Sequence, residues 1–116
     1  MTEDQSSLIK EVREEDGVTI VEVAGDIDMH HSPGLHATLV DLVLARPKKF
    51  VLNLSAVPYM DSSGVGTLVE VFRRVSSYKG VMILCGLSPR VRSVLEITKL
   101  DRFFTICESE EEAAQA

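Results

Sequence analysis

The chain has 116 residues, 45% apolar and 26% charged, with 12 Lys and Arg against 18 Asp and Glu for a formal net charge of −6. That length fits one domain and is enough to bury a core without metal or disulfide staples. The acidic balance argues against non-specific binding to nucleic acid or to an anionic membrane, which needs a basic surface.

Residues 8–14 and 18–24 read as two strands. The second is rich in β-branched residues and partly alternating, and Asp16-Gly17 between the two is a hairpin signal. The chain breaks at residues 25–31. Ser32-Pro33 then opens a helix, with Ser32 expected as N-cap and Pro33 in the first turn. Leu35, Leu39, Leu42 and Val43 follow at helical spacing, and Arg46-Pro47 ends the helix. Phe50 to Leu54 is a short continuous apolar run, the pattern of a strand covered on both faces. A loop containing Pro58 leads to a second helix near Ser62, whose apolar stripe is Val65, Leu68, Val69, Phe72 and Val75 and which Gly80 stops.

Val81 to Cys85 is another buried-type strand. Ser88-Pro89 repeats the cap-and-proline start of a helix, Phe104 to Cys107 is a last short strand, and Ser109 to Glu112 is a capping box for a C-terminal helix. The order ββαβαβαβα predicts an α/β fold with a mixed, mostly parallel sheet of about five strands, an antiparallel hairpin at its start and about four helices. One domain is expected over residues 1–116, with its core over about 8–115.

No apolar run approaches the ~20 residues of a membrane span. The polar, acidic segment Met1-Thr2-Glu3-Asp4-Gln5 is unlike a secretory signal. Cys85 and Cys107 lie in apolar strands without a CxxC pair, so free thiols in a reducing cytoplasm are expected.

Parallel strands put their carboxyl ends on one edge of the sheet, where ligands of open α/β sheets commonly bind. The loops after the second and third strands are therefore expected to meet, gathering Asp26, Asp28, Asp61, Ser62 and Ser63 on one surface. Ser62 stands at or next to the N-cap of the second helix. Gly64 and Gly66 follow within about a turn, each costing on the order of 1 kcal/mol relative to Ala in a helix, and each leaving backbone open to close approach. A phosphate at this helix start is expected to meet free N–H groups and the positive end of the helix dipole, with Asp28 and Asp61 opposing it.

Residues Val51-Leu52-Asn53-Leu54 through Tyr59-Met60-Asp61-Ser62-Ser63-Gly64-Val65-Gly66 resemble the signature of the STAS domain found in bacterial anti-sigma-factor antagonists. Ala24-Gly25-Asp26-Ile27-Asp28 resembles that family's second-strand exit, and Ser88-Pro89 with its helix resembles its last third. The resemblance covers roughly residues 8–115 and implies the STAS fold. It also implies a phosphorylation-gated switch. The unphosphorylated protein binds an anti-sigma factor of histidine-kinase-like ATPase fold and frees a sigma factor. That anti-sigma factor also acts as a serine kinase on its antagonist, and a serine phosphatase reverses the modification. By this resemblance the phosphorylated residue is Ser62 and Asp28 supports phosphorylation and partner contact. Asp26, Asp61, Ser63, Gly64 and Gly66 are expected to form the surrounding partner-binding surface. No cofactor, metal, nucleic acid or membrane is expected.

Other readings fit less of the sequence. Gly64-Val65-Gly66-Thr67-Leu68-Val69 lacks the third glycine of a dinucleotide motif, and no phosphate-binding GxxxxGK[ST] exists. His30, His31 and His36 lack a supporting cysteine, so surface histidines are expected rather than a metal site. An accessory subunit of a lipid-transport ATPase or a stress-signalling scaffold uses the same fold, and a small hydrolase would use Ser62 as nucleophile. The charge is also polarised. Residues 1–32 hold nine acids and two bases, residues 33–105 five acids and ten bases, and residues 106–116 four acids. Arg73, Arg74, Arg90 and Arg92 make the middle basic, suited to an acidic patch on a partner.

Overall fold

The computed structural model describes residues 8–116. Strands β1 (Ile9–Glu15), β2 (Val18–Ala24), β3 (Lys49–Ala56), β4 (Val81–Cys85) and β5 (Thr105–Cys107) form one sheet in the order β1-β2-β3-β4-β5. β1 is antiparallel to β2, and every later pair is parallel. The hairpin turn has Asp16 at φ 54° and Gly17 at φ 82°. A two-residue turn with both central residues left-handed matches the twist of the strands it joins, which is why Asp-Gly signals it.

Helices α1 (Ser32–Val43), α2 (Ser62–Ser77) and α3 (Pro89–Ile97) connect the parallel strands, and α4 (Glu110–Gln115) follows β5. Parallel crossovers are right-handed, and here each adds the next strand in the same direction. All three connecting helices therefore fall on one face. Val21, Val23, Phe50, Leu52, Leu54, Met82 and Leu84 point toward them and pack with Leu35 and Leu39 of α1, Leu68, Val71 and Val75 of α2, and Val91 and Leu95 of α3. The alternate residues Val51, Ile83 and Cys85 face the other way, where α4 covers them with Ala113.

The α4 helix is too short to bury much and is clasped by polar contacts instead. Arg13 reaches Glu110 with 3.0 Å contacts to both carboxylate oxygens, and Asn53 donates to Glu110 at 2.6 Å. Lys49 Nζ donates to the carbonyls of Ala113, Ala114 and Ala116 at the end of the helix, where carbonyls run short of backbone donors. Arg13 also faces Glu11 and Glu22, so the two acidic ends of the chain meet around one arginine.

Several expected boundaries move. The second strand and β4 have the expected limits, whereas β1 begins at Ile9 and β3 runs two residues further to Ala56. Ser88 caps α3 through Val91 N–H, with Pro89 behind it, as expected. Ser109 caps α4, but the returning arm of the capping box lands one residue early, on Glu108 N–H rather than its own. Ser32 is not the N-cap of α1. His31 holds that position without a side-chain bond, and Ser32 is buried as the first helical residue. A single 3-10 turn, Leu100–Arg102, precedes β5 where none was expected; Lys99 before it takes a left-handed φ of 64°.

Both cysteines are free thiols. They are register partners on β4 and β5, and burial pushes the Cys85 thiol up to about 11, so it stays protonated and poorly nucleophilic at neutral pH. No helix among the described residues is long and apolar enough to cross a membrane.

Candidate functional site

The loops after β2 and β3 are stitched together past the ends of their strands. Gly25 N–H donates to Ala56 O at 2.9 Å, Ile27 N–H to Tyr59 O at 3.0 Å, and Asp61 N–H to Ile27 O at 3.1 Å. Ile27 and Met60 form a parallel bridge, and both side chains are buried. The sheet pairing thus continues into the loops and delivers Asp28 and Asp61 to the starts of α1 and α2.

Asp28 braces the turn that leads into α1. Its Oδ1 accepts from the N–H groups of His30 at 3.1 Å and His31 at 3.0 Å, and lies 2.9 Å from His31 Nδ1. Its carbonyl accepts from Ser32 N–H at 2.8 Å. The His31 N–H bond, assisted by the His31 ring, outweighs partial desolvation and holds the Asp28 carboxyl below the usual carboxylate range. Asp61 is the N-cap of α2. Its Oδ1 accepts from Ser63 Oγ at 2.6 Å, Ser63 N–H at 2.9 Å and Gly64 N–H at 3.4 Å. The Ser63 hydroxyl is the largest influence lowering the Asp61 carboxyl.

The two helix starts are also joined side chain to side chain. Ser32 Oγ lies 2.7 Å from Ser63 Oγ and 2.7 Å from Asp28 O. Two hydroxyl protons therefore serve three short contacts. The carboxylate of Asp61 makes the strongest claim, because a bond to an ionised acceptor is roughly twice as strong as a neutral one. Ser63 gives its proton to Asp61, and Ser32 shares its own between Asp28 O and Ser63.

Ser62 stands apart from this network. It is the first residue of α2, it is exposed, and no described residue bonds to its hydroxyl. Several free N–H groups were expected around it. Those of Ser63 and Gly64 are instead taken by Asp61, and Val65 N–H by Asp61 O, which leaves the N–H of Ser62 itself. Asp26 is exposed on the neighbouring loop. Tyr59 supports the far side, with the Arg90 guanidinium 5.4 Å from its ring centroid, tying the start of α3 to this edge.

The two glycines behave differently. A Cβ on Gly64 would lie 2.6 Å from Met60 Cγ, 2.7 Å from Ile27 Cγ2 and 2.9 Å from Ile27 O, so the helix start closes onto the chain's own loops there. A Cβ on Gly66 would meet nothing within 4 Å. The fold requires the first glycine and gives no internal reason for the second. Among the described residues, no group of three His, Cys, Asp or Glu side chains could hold a metal ion.

The Asp28 and Asp61 carboxylates both favour the charged form in the folded state. Their contribution to stability is complete above the ordinary Asp value of about 3.9 and is lost as the pH falls below it. Melting curves of the Asp28→Asn, Asp61→Asn double variant should therefore lose less stability between pH 6 and pH 3 than the parent. An unchanged acid slope would remove these two groups from the account.

A STAS domain profile matches residues 10–113. The chain belongs to the STAS-domain family. This STAS domain is 34% identical over 98 residues to the anti-sigma-B factor antagonist of Listeria monocytogenes, covering 84% of each chain. It is 31% identical over 105 residues to the anti-sigma-B factor antagonist of Bacillus subtilis, covering 90% of this chain and 95% of the relative. Among solved structures, an anti-sigma factor antagonist from Mycobacterium paratuberculosis superposes with a TM-score of 0.83 at 28% identity, over 90% of this chain and 89% of that one. The fold inferred from the Asp61-Ser62-Ser63-Gly64 segment and its surroundings is thus the one observed.

Proposed function

We propose that this STAS domain is an anti-sigma-factor antagonist whose binding is switched off by phosphorylation of Ser62. In this reading the unphosphorylated protein binds an anti-sigma factor with serine kinase activity in the cytoplasm and releases its sigma factor. A serine phosphatase restores the bound form. The protein is a regulator and not an enzyme.

One observation carries the choice of residue. Of two adjacent serines, Ser63 is half-buried with its hydroxyl engaged by Asp61 and Ser32, while Ser62 is exposed with its hydroxyl unengaged by any described residue. A kinase needs a hydroxyl it can reach and align, which favours Ser62. The relatives named as antagonists of anti-sigma factors supply the partner class. A phosphoserine adds about −1.5 to −2 charges at pH 7. Here it would stand beside Asp61, itself held ionised, with one unclaimed N–H to receive it.

A displacement assay tests the reading. The purified protein, added to a sigma factor bound by the histidine-kinase-like ATPase of the same organism, should release the sigma factor. Prior incubation with the ATPase and ATP should abolish release. Capture of an ABC-type transport ATPase with no effect on any sigma complex would instead favour an accessory transport role.

Gly66 provides a second check. It lies one helical turn beyond Ser62 on the same face, with open space above its backbone. Gly66→Ala should stabilise the free protein by about 0.5–1 kcal/mol, because alanine restricts the unfolded chain, and should raise Tm by a few degrees. It should also weaken anti-sigma binding. Higher Tm with unchanged affinity would show that the partner does not approach this backbone.

A further inference from the structure

The β2–α1 loop carries an apolar side chain that the fold does not use. Ile27 is fully buried, yet Met29 two residues later is 74% exposed. Among the described residues, the other strongly exposed apolar side chains lie elsewhere: Val12 in β1, Leu44 and Ile97 at the far ends of α1 and α3, Val81 at the start of β4, and Phe103 before β5. Met29 is the one at the carboxyl edge of the sheet, in the loop stitched to the segment that ends at Ser62.

Its position is tightly determined. On one side Ile27 is bridged to Met60. On the other, the Asp28 carboxylate holds the N–H groups of His30 and His31. The backbone is thus pinned while the side chain projects into solvent. A flexible, polarizable side chain on a fixed stem suits insertion into an irregular apolar cavity, and the ordered loop reduces the entropy lost on docking. Asp26, Asp28 and Asp61 lie on the same two loops, so a matching surface needs positive charge around an apolar pocket.

We propose that Met29 is the apolar anchor of the docking face, seated in a pocket with a basic rim on the anti-sigma factor. This rests on the antagonist reading and names what that partner must present. It also gives one phosphate a way to act without refolding the protein, since a bulky group added at Ser62, on the segment stitched to the Met29 loop, holds the two surfaces apart.

Titrations of Met29→Ala, Met29→Leu and Met29→Glu into the anti-sigma factor used in the displacement assay test this. Met29→Ala should bind roughly ten- to a hundredfold more weakly, the loss expected of a central interface residue. Met29→Leu should stay within a few-fold of the parent, and Met29→Glu should not bind. Melting temperatures should be unchanged in all three, because the side chain packs against little of its own fold. Wild-type affinity for Met29→Ala alongside failure of Ser62→Asp to bind would overturn the anchor and leave the antagonist reading standing. Failure of the wild-type protein to bind would overturn both. Affinity that does not fall as salt is raised would rule out the basic rim.

Discussion

Gly64→Ala should lower Tm by about 5–15 °C. The added methyl would gain up to about 1 kcal/mol from helix propensity. It would, however, sit 2.6 Å from Met60 Cγ and 2.7 Å from Ile27 Cγ2, both belonging to fully buried side chains. The third contact, 2.9 Å from Ile27 O, is with backbone that accepts the Asp61 N–H bond. None of these is the free end of a flexible chain, so the helix start must move away from the bridged loops. Overpacking of this kind costs about 1–3 kcal/mol and sometimes more, and each 1 kcal/mol shifts Tm by roughly 4–8 °C in a domain of about this size. Gly66→Ala, two residues on, should shift Tm in the opposite direction. Equal Tm changes in the two variants would contradict the packing described here.

Ser62→Asp should leave the fold intact and remove binding to the anti-sigma factor. An acidic residue in the first turn of α2 is favourable toward the helix dipole, by about 0.3–1 kcal/mol at an exposed position, so Tm should hold or rise slightly. Where the interface closes over it, the same charge is costly, because an ionised side chain stripped of water against an apolar surface and left unpaired loses on the order of a few kcal/mol. Since 1.4 kcal/mol is tenfold in affinity, weakening by about ten- to a thousandfold is expected. Ser62→Ala should bind like the parent and resist phosphorylation. Calorimetric titration of both variants, with melting curves alongside, separates loss of binding from loss of structure. Binding of Ser62→Asp at wild-type affinity would place the partner interface elsewhere.

Features set by neighbours in the chain were legible in the sequence. Asp16-Gly17 specifies its turn through two left-handed residues, and Ser88-Pro89 and Ser109 specify helix starts through local bonds. The meeting of the Asp28 and Asp61 loops was legible too, because parallel strands share a carboxyl edge. Features decided by contacts between distant residues were not. Ser32 looks like a cap, but its hydroxyl is claimed by Asp28 O and Ser63, the latter 31 residues away. Gly64 and Gly66 are the same residue type in the same helical turn, and only the positions of Ile27 and Met60 tell them apart. The charge count places the acidity at the ends of the chain but not its partners: Arg13 joins Glu11, Glu22 and Glu110.

Identical arguments apply to the proposed phosphorylation site. The segment Asp61-Ser62-Ser63-Gly64 presents two candidate hydroxyls, and charge or hydropathy does not separate them. Burial and hydrogen bonding do, by holding Ser63 between Asp61 and Ser32 and leaving Ser62 at the surface.

Mapping the phosphate by mass spectrometry, after incubation with the cognate anti-sigma factor and ATP, tests this distinction most directly. A single phosphate on Ser62, lost in Ser62→Ala and retained in Ser63→Ala, is the predicted result. A phosphate on Ser63 or on any other residue, with Ser62 unmodified, would contradict it.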